Sequence, residues 1–246
     1  MRPDHDLVDR VVPSPNHDER AFGDPDMLVL HYTGMVSAEA ALERLTDAQA
    51  KVSSHYLIEE NGRILQLVPE ARRAWHAGQG EWMGRRDINS RSIGIEIVNP
   101  GHEHGYRDFP AVQMQSVIDL CRKCVERWSI PPHFVIAHSD MAPDRKQDPG
   151  ELFPWDQLSD RSIGRYVTPT PIAGGRFFGQ GDRGEPVAAY QGLLAAFGYA
   201  VPIDGIFDET TRWATIAFQR RQRPALVDGV ADQSTIDTLF RALKAR

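Results

Sequence analysis

Three side chains that could share one divalent cation lie far apart in the sequence. His31 ends a short apolar run and is followed by Thr33-Gly34, and His138 ends a second apolar run. Asp148 lies ten residues after His138. Two imidazoles and one carboxylate form the ligand set of a catalytic zinc ion, which leaves a fourth position for water. A single strand-end histidine is more often an ordinary hydrogen-bonded residue, so spacing alone only suggests a zinc site.

Two further residues could act on a water molecule at such a site. Glu96 lies in an alternating stretch whose isoleucines share the opposite face. An ionised carboxylate there needs a positive partner, which a nearby zinc ion would supply, so Glu96 is the candidate general base. Lys146 lies two residues before Asp148 and could stabilise the oxyanion of a tetrahedral intermediate. The alternatives are a solvent-exposed glutamate and an ordinary surface lysine.

The elements that would position these residues alternate between strands and helices. Ser37 is a candidate N-cap, and Asn61-Gly62 predicts a tight turn between two strands. Together these segments predict an α/β domain with a mixed central sheet flanked by helices. The predicted strands are 27–32, 56–59, 63–68, 93–98 and 134–138, and the predicted helices are 37–50 and 112–128.

Composition excludes several classes of protein. The chain of 246 residues has a net charge of −6, which argues against a non-specific nucleic-acid binder. No stretch approaches the roughly 20 apolar residues of a membrane-spanning helix.

Cys121 and Cys124 lie on the apolar stripe of a predicted helix, so we expect both thiols to face the core. A second zinc site would need further ligands, and no partner cysteine pair exists.

The distribution of histidine, proline and glycine divides the chain. All nine histidines lie at or before His138. The segment 167–182 is rich in proline and glycine, which excludes a regular helix there. We therefore predict a first domain over residues 1–165, a linker over 166–181 and a second domain over 182–246.

The second domain contains an internal repeat. The segments DGIFDETT (204–211) and DGVADQST (228–235) each predict an Asp-Gly turn followed by a capped helix. A calcium loop would need a terminal glutamate that both copies lack. Apolar residues at helical spacing then predict a small three-helix bundle. They are Val187, Tyr190, Leu194, Phe197, Ala214, Ala217, Phe218, Ile236, Leu239, Phe240 and Leu243.

Several short motifs occur in an order that resembles one bacterial enzyme family. They are LVLHYTG (28–34), SHYLI (54–58), WHAG (75–78), SIGIEIVN (92–99), AHSD (137–140), RKQDPG (145–150) and FPW (153–155). Over residues 20–160 they are similar to the zinc-dependent N-acetylmuramoyl-L-alanine amidases of the type-2 family, relatives of the peptidoglycan recognition proteins. The resemblance implies zinc ligands at His31, His138 and Asp148, an acid/base at Glu96 and a transition-state stabiliser at Lys146.

The resemblance also implies a substrate and contacts with it. We expect hydrolysis of the amide between N-acetylmuramic acid, or its anhydro form, and L-alanine of the peptidoglycan stem peptide. Trp75 and His76 resemble the family's cleft wall, and we predict substrate contact by both and by Asn99; Trp75 could equally be a core residue. The second domain is similar to an appended peptidoglycan-binding module, through VAAYQ (187–191), GY (198–199), DGIF (204–207), FQ (218–219) and DG (228–229).

Two other functions and two compartments stay open at this point. A non-catalytic peptidoglycan-recognition module typically lacks a complete ligand set, whereas all three ligands are present here. A zinc carboxypeptidase of cell-wall peptides has a His-to-Asp spacing that is not found. No apolar run follows Arg2, so no signal peptide is visible, which favours the cytoplasm. A wall-binding module favours the periplasm or cell envelope, reached if a leader was removed.

Overall fold

A six-stranded mixed sheet forms the centre of the first part of the chain in this computed structural model, which describes residues 1–245. The strands are β1 (Arg10–Val11), β2 (His17–Asp18), β3 (Met27–Tyr32), β4 (Tyr56–Ile58), β5 (Ile64–Gln66), β6 (Arg73–Ala74), β7 (Ser92–Ile97) and β8 (Val135–Ala137). The sheet has the order β1-β5-β4-β7-β3-β8, while β2 and β6 form a separate antiparallel pair. Within the sheet only β4 and β5 are antiparallel.

The helices lie around this sheet and in the last part of the chain. They are α1 (Ala38–Thr46), α2 (Ile88–Arg91), α3 (Ala111–Trp128), α4 (His138–Met141), α5 (Trp155–Ser159), α6 (Glu185–Phe197), α7 (Glu209–Gln222) and α8 (Gln233–Lys244), with a 3-10 turn at Pro132–Phe134. A mixed sheet with flanking helices followed by a helical bundle confirms the predicted fold class.

The predicted N-cap and hairpin are present, but two elements are shorter than predicted. The helix expected over 37–50 ends at Thr46. The Ser37 hydroxyl accepts a hydrogen bond from the backbone N–H of Ala40, as an N-cap does. Strands β4 and β5 form the predicted hairpin. The strand expected over 134–138 is shorter, because the 3-10 turn includes Phe134 and His138 is already the first residue of α4.

The central strands are buried because parallel strands are covered on both faces. β3 is buried along nearly its whole length, and Ile93, Ile95 and Ile97 of β7 are fully buried. Cys121 and Cys124 of α3 lie in this core as free thiols, as predicted. The core therefore holds the middle of the sheet rigidly, and the strand ends are the places where polar side chains can meet.

The repeated turns of the last part are held by two equivalent buried glutamines. The Oε1 atom of Gln191 accepts from both backbone N–H groups of the turn at 204–205, at 3.1 and 2.8 Å. Gln219 does the same for the turn at 228–229, at 3.0 and 2.8 Å. In each turn a buried side-chain amide accepts the backbone hydrogen bonds that water would otherwise accept. The Asp-Gly pattern alone does not reveal this contact.

The helices that follow these turns begin as predicted. Asp208 and Asp232 accept from the backbone N–H three residues on, at 2.8 and 2.7 Å. One predicted core residue is wrong: Phe240 is 49% exposed, because Leu239 and Ala242 form the buried face of α8. The Lys244 ammonium lies 4.1 Å from the Phe240 ring centroid.

The helical bundle packs directly on the first part of the chain. The Trp82 ring contacts the rings of Phe197 and Tyr199 edge to face, with centroids 6.0 and 5.2 Å apart. The backbone N–H of Met83 donates to the Gly198 carbonyl at 2.9 Å. The predicted boundaries at 165 and 182 stay predictions. None of the helices within residues 1–245 is long and apolar enough to cross a membrane.

Candidate active site

The three predicted metal ligands, His31, His138 and Asp148, meet in one small group, which we call the triangle. Asp148 Oδ2 lies 3.0 Å from His31 Nδ1 and 2.9 Å from His138 Nδ1, and the two Nδ1 atoms are 2.9 Å apart. All three residues are buried, with exposed fractions of 1% for His31, 4% for His138 and 7% for Asp148. Three donor atoms in a triangle of this size can all lie about 2 Å from one ion, the distance that zinc requires.

The sheet topology explains why distant residues meet there. β3 and β8 are parallel neighbours with Leu30 paired to Ala137, so His31 and His138 follow matched positions on adjacent strands. Asp148 comes from the loop after α4. The backbone N–H of Ser139 donates to the Asp148 carbonyl at 3.1 Å, which holds this loop against the residue next to His138.

Both imidazoles are oriented by a hydrogen bond on the side away from the group. With Nδ1 facing the carboxylate, His31 Nε2–H donates to Nδ1 of His76 at 3.0 Å, and His76 Nε2–H donates to the Ser92 hydroxyl at 3.1 Å. His138 Nε2–H donates to the Ala77 carbonyl at 2.9 Å. Such partners fix the tautomer and ring orientation of metal-binding histidines.

The position of His76 requires a glycine on β7. A Cβ atom added to Gly94 would lie 2.4 Å from the His76 ring, far inside van der Waals contact. Only glycine therefore lets the ring pack between the sheet and His31. The WHAG and SIGIEIVN motifs meet at this contact, so part of their sequence pattern serves to orient the His31 imidazole.

The predicted substrate-contacting residues take different places. Trp75 and His76 both line the cavity around the triangle. The indole N–H of Trp75 is buried and has no hydrogen-bond partner within residues 1–245. Asn99 is absent from the lining of this cavity; it donates to the Arg107 carbonyl at 2.7 Å and accepts from the Gly101 backbone at 3.1 Å. Asn99 thus shapes the loop beside the cavity, and substrate contact by these residues stays a prediction.

Glu96 lies directly beside the first ligand. The register of β3 and β7 pairs Glu96 with His31, so both side chains project from the same face of the sheet. Its Oε2 atom is buried without a hydrogen-bond partner in the described part of the chain. Burial raises the pKa of Glu96 well above its ordinary value, the charge of Asp148 raises it further, and Lys146 opposes both. This carboxyl group can therefore hold a proton at its unpaired oxygen.

The protonation states of His31 and Asp148 favour binding of a cation. Burial, with a further effect of His138, lowers the pKa of His31 to about 4, so its imidazole is neutral at pH 7. Burial alone would raise the pKa of Asp148, but its contacts with His138 and His31 hold it below its ordinary value. A neutral imidazole and an ionised carboxylate are the forms that bind a metal ion.

The triangle opens into a cavity of about 340 Å³. Lys146 and Arg145 line it beside Asp148, and Arg145 also donates to the Ala77 carbonyl at 2.8 Å. The carbonyl that orients His138 is therefore itself held by Arg145. The sequence pattern does not distinguish Arg145 from its neighbours in the RKQDPG motif. Other lining residues come from Tyr32–Met35, α1, the Val52–Ser53 segment and the loop that includes Pro100, His102 and Glu103.

A second group of potential ligand atoms lies elsewhere in the core. His5, Glu70 and Cys124 bring one donor atom each within 4.8 Å of the others. Glu70 already has hydrogen-bond partners on both oxygens: Tyr56 donates to Oε1 and Trp128 donates to Oε2, both at 2.8 Å, and His5 Nε2 lies 2.8 Å from Oε1. The Cys124 thiol lies 3.2 Å from Oε1. Cys124 thus takes part in a network around a buried carboxylate, a contact that the helix pattern did not indicate.

Comparison with known families matches both parts of the chain. Residues 21–151 match the N-acetylmuramoyl-L-alanine amidase family, and residues 183–239 match a family of peptidoglycan binding domains. All three members of the triangle and Glu96 lie inside the first match.

Two curated proteins and one solved structure are similar over much of their length. The amidase AmiD of Escherichia coli is 41% identical over 85% of this chain and 79% of its own length. The 1,6-anhydro-N-acetylmuramyl-L-alanine amidase AmpD of E. coli is 34% identical over 59% of this chain and 87% of its own. The solved complex of E. coli AmiD with anhydro-N-acetylmuramic acid-L-Ala-D-γ-Glu-L-Lys has a TM-score of 0.75, 35% identity, and coverage of 95% of this chain and 91% of that one.

Proposed function

The chain belongs to the N-acetylmuramoyl-L-alanine amidase family, and we propose that it is a zinc-dependent enzyme that hydrolyses the amide between N-acetylmuramic acid, or its anhydro form, and L-alanine of the stem peptide. The observation that supports this most strongly is the triangle of His31, His138 and Asp148 with the unpaired oxygen of Glu96 beside it. A complete ligand set together with a free proton carrier favours catalysis over recognition alone.

The triangle fits a zinc ion by its own chemistry. Two Nδ1 atoms and one carboxylate oxygen face each other in a buried pocket, and each imidazole is oriented from behind. In this proposal His31, His138 and Asp148 hold the ion. When bound, zinc acts as a Lewis acid that lowers the pKa of water and polarises a carbonyl group.

Glu96 moves the proton. Its unpaired Oε2 accepts a proton from the attacking water, and the raised pKa allows the carboxyl group to keep that proton while the amide carbon becomes tetrahedral. Glu96 then donates the proton to the departing amine of L-alanine. Burial keeps bulk water from competing for this proton, which is the reason a carboxyl group in this position is effective.

Lys146 stabilises the developing charge. It lines the cavity with Asp148, and its positive charge lowers the pKa of Glu96. An ammonium group in this position attracts the oxyanion of the tetrahedral intermediate more strongly than the neutral carbonyl of the substrate. Trp75 lines the same cavity, where its aromatic ring can pack against the substrate.

The substrate class proposed is a soluble anhydro-muropeptide. The name of E. coli AmpD includes 1,6-anhydro-N-acetylmuramyl-L-alanine, and the solved AmiD complex holds an anhydro-muramyl peptide. Work on soluble fragments would place the enzyme in muropeptide recycling in the cytoplasm, whereas work on the polymer would place it in the cell envelope. Assays with soluble anhydro-muropeptides and with intact sacculi, analysed by mass spectrometry, separate these two cases.

The substitution Glu96→Gln tests the function. It keeps the shape of the side chain but removes the proton acceptor, so we expect zinc content to stay at one per chain while kcat falls by about 1,000-fold. Zinc is measured by elemental analysis and hydrolysis by release of the stem peptide. Glu126→Gln, an exposed glutamate on α3, is the matched control and keeps wild-type activity. Wild-type turnover by the Glu96→Gln protein would remove Glu96 from the mechanism.

A further inference from the structure

The helical bundle contacts the turn that carries one of the three ligands. The short helix α4 begins at His138, and the Asp140 side chain in this helix is fully buried. Asp140 Oδ2 accepts from the backbone N–H of Ala137 at 2.9 Å. This hydrogen bond closes a loop of four residues around His138 and so fixes the backbone from which the imidazole projects.

The other two partners of Asp140 come from the helical bundle. The Tyr199 hydroxyl donates to Asp140 Oδ1 at 2.8 Å, and Arg221 forms an ion pair with Oδ2. The exposed fraction of the Arg221 side chain is only 3%. A buried carboxylate is costly unless it is paired and hydrogen-bonded, and Arg221 is its only cationic partner in the described residues.

Arg221 also holds the strand that leads to the ligand. Its Nη2 donates to the Val135 carbonyl on β8 at 3.0 Å, and its guanidinium lies 4.1 Å from the Trp155 ring centroid. One arginine therefore touches the backbone before His138 and the carboxylate after it. Together with Tyr199, it fixes both ends of the segment 135–140.

We propose that Tyr199 and Arg221 are positioning residues for the metal ligand His138, acting through Asp140. The helical bundle, whose family is matched for peptidoglycan binding, then has a second role as part of the support of the metal centre. This inference rests on the proposed function, since it concerns the orientation of a zinc ligand. It concerns residues that lie outside the part of the chain matched to the amidase family.

The substitution Tyr199→Phe removes one hydrogen bond to Asp140 and nothing else. Its matched control is Tyr190→Phe, because Tyr190 is an equally buried tyrosine of the same bundle whose hydroxyl bonds Thr215, at 2.9 Å, instead of the first domain. We expect Tyr199→Phe to raise the zinc dissociation constant about tenfold and to lower kcat with KM unchanged. Tyr190→Phe should leave zinc binding within twofold of the wild type. Zinc affinity is measured by competition with a chelator on the full chain.

Thermal unfolding of both variants separates positioning from stability. If Tyr199→Phe and Tyr190→Phe lose similar Tm but only the first loses zinc affinity, the inference holds. Unchanged zinc affinity in Tyr199→Phe, or an equal loss in Tyr190→Phe, would overturn it. Arg221→Lys keeps the positive charge but cannot reach both Asp140 and the Val135 carbonyl. We expect this variant to bind zinc more weakly than the wild type. Wild-type zinc affinity in Arg221→Lys would contradict the inference. A wild-type chain that binds no zinc and does not hydrolyse its substrate would instead contradict the proposed function.

Discussion

Lys146 and Asp148 act on Glu96 in opposite directions. The carboxylate of Asp148 raises the pKa of Glu96, and the ammonium of Lys146 lowers it. Because charges in a buried cavity are poorly screened, the balance between them sets how readily Glu96 accepts and releases a proton. In the proposed reaction the same lysine attracts the oxyanion, so one side chain would affect both steps.

Replacement of Lys146 by methionine removes this charge while it keeps most of the side-chain volume. We expect kcat to fall by about 100-fold, with KM and zinc content close to those of the wild type, because the charge acts mainly in the transition state. Steady-state kinetics on a soluble muropeptide measure both constants. Lys51→Met, at an exposed lysine, is the control. A Lys146→Met protein with wild-type kcat would show that Lys146 has no part in the reaction.

The residues of the candidate site were predicted from the sequence, but their supporting contacts were not. The spacing of His31, His138 and Asp148 only suggested a metal site, the family resemblance of the motifs around them implied it, and the structure brings the three side chains together. The hydrogen bond from His31 to His76 joins residues 45 positions apart and depends on Gly94 leaving room for the ring. Such a contact follows from the sheet register, which local patterns do not specify.

Parallel pairing is the feature of the elements that creates the site. β7, β3 and β8 lie side by side, so Glu96, His31 and the turn at His138 reach the same edge of the sheet. Alternation of residues predicted that these segments are strands, and the Asn-Gly pair predicted the β4–β5 hairpin. The order of the strands could not be predicted from alternation, because every buried strand has the same apolar pattern.

A buried histidine before β4 makes the stability of the sheet depend on pH. Burial, aided by the charge of Arg20, lowers the pKa of His55 to about 3 in the folded chain, against about 6.5 in an unfolded one. Between these values the unfolded chain binds the extra proton. The free energy of unfolding should therefore fall as the pH decreases from about 6.5, by at most about 1.4 kcal/mol per pH unit for this group.

Urea unfolding at pH 7, 6 and 5 checks this dependence. We expect His55→Gln to be less stable than the wild type at pH 7. Its free energy of unfolding should change less steeply with pH below about 6.5, because about one proton fewer is taken up on unfolding. His104→Gln, at an exposed histidine, should have the slope of the wild type. All three proteins are compared at the same zinc concentration, so that protons released by metal binding cancel. Equal slopes for His55→Gln and the wild type would contradict the assignment.

At the scale of the whole molecule, the two parts are joined by buried polar contacts in addition to the chain between them. Residue distribution and the internal repeat predicted a His-bearing domain, a linker and a helical bundle, and the two family matches cover separate parts of the chain. Composition could not predict the Arg221–Asp140 ion pair, whose residues are 81 positions apart. The buried contacts of Tyr199 and Arg221 therefore hold the bundle against the segment that carries His138.

Diffraction data collected at the zinc absorption edge from crystals grown with zinc test the central claim most directly. We predict one strong anomalous peak about 2 Å from His31 Nδ1, His138 Nδ1 and Asp148 Oδ2, and none in an Asp148→Ala protein. The absence of a peak at these three atoms would contradict the assignment. So would a single peak at His5, Glu70 and Cys124, since the ion would then lie away from Glu96 and Lys146.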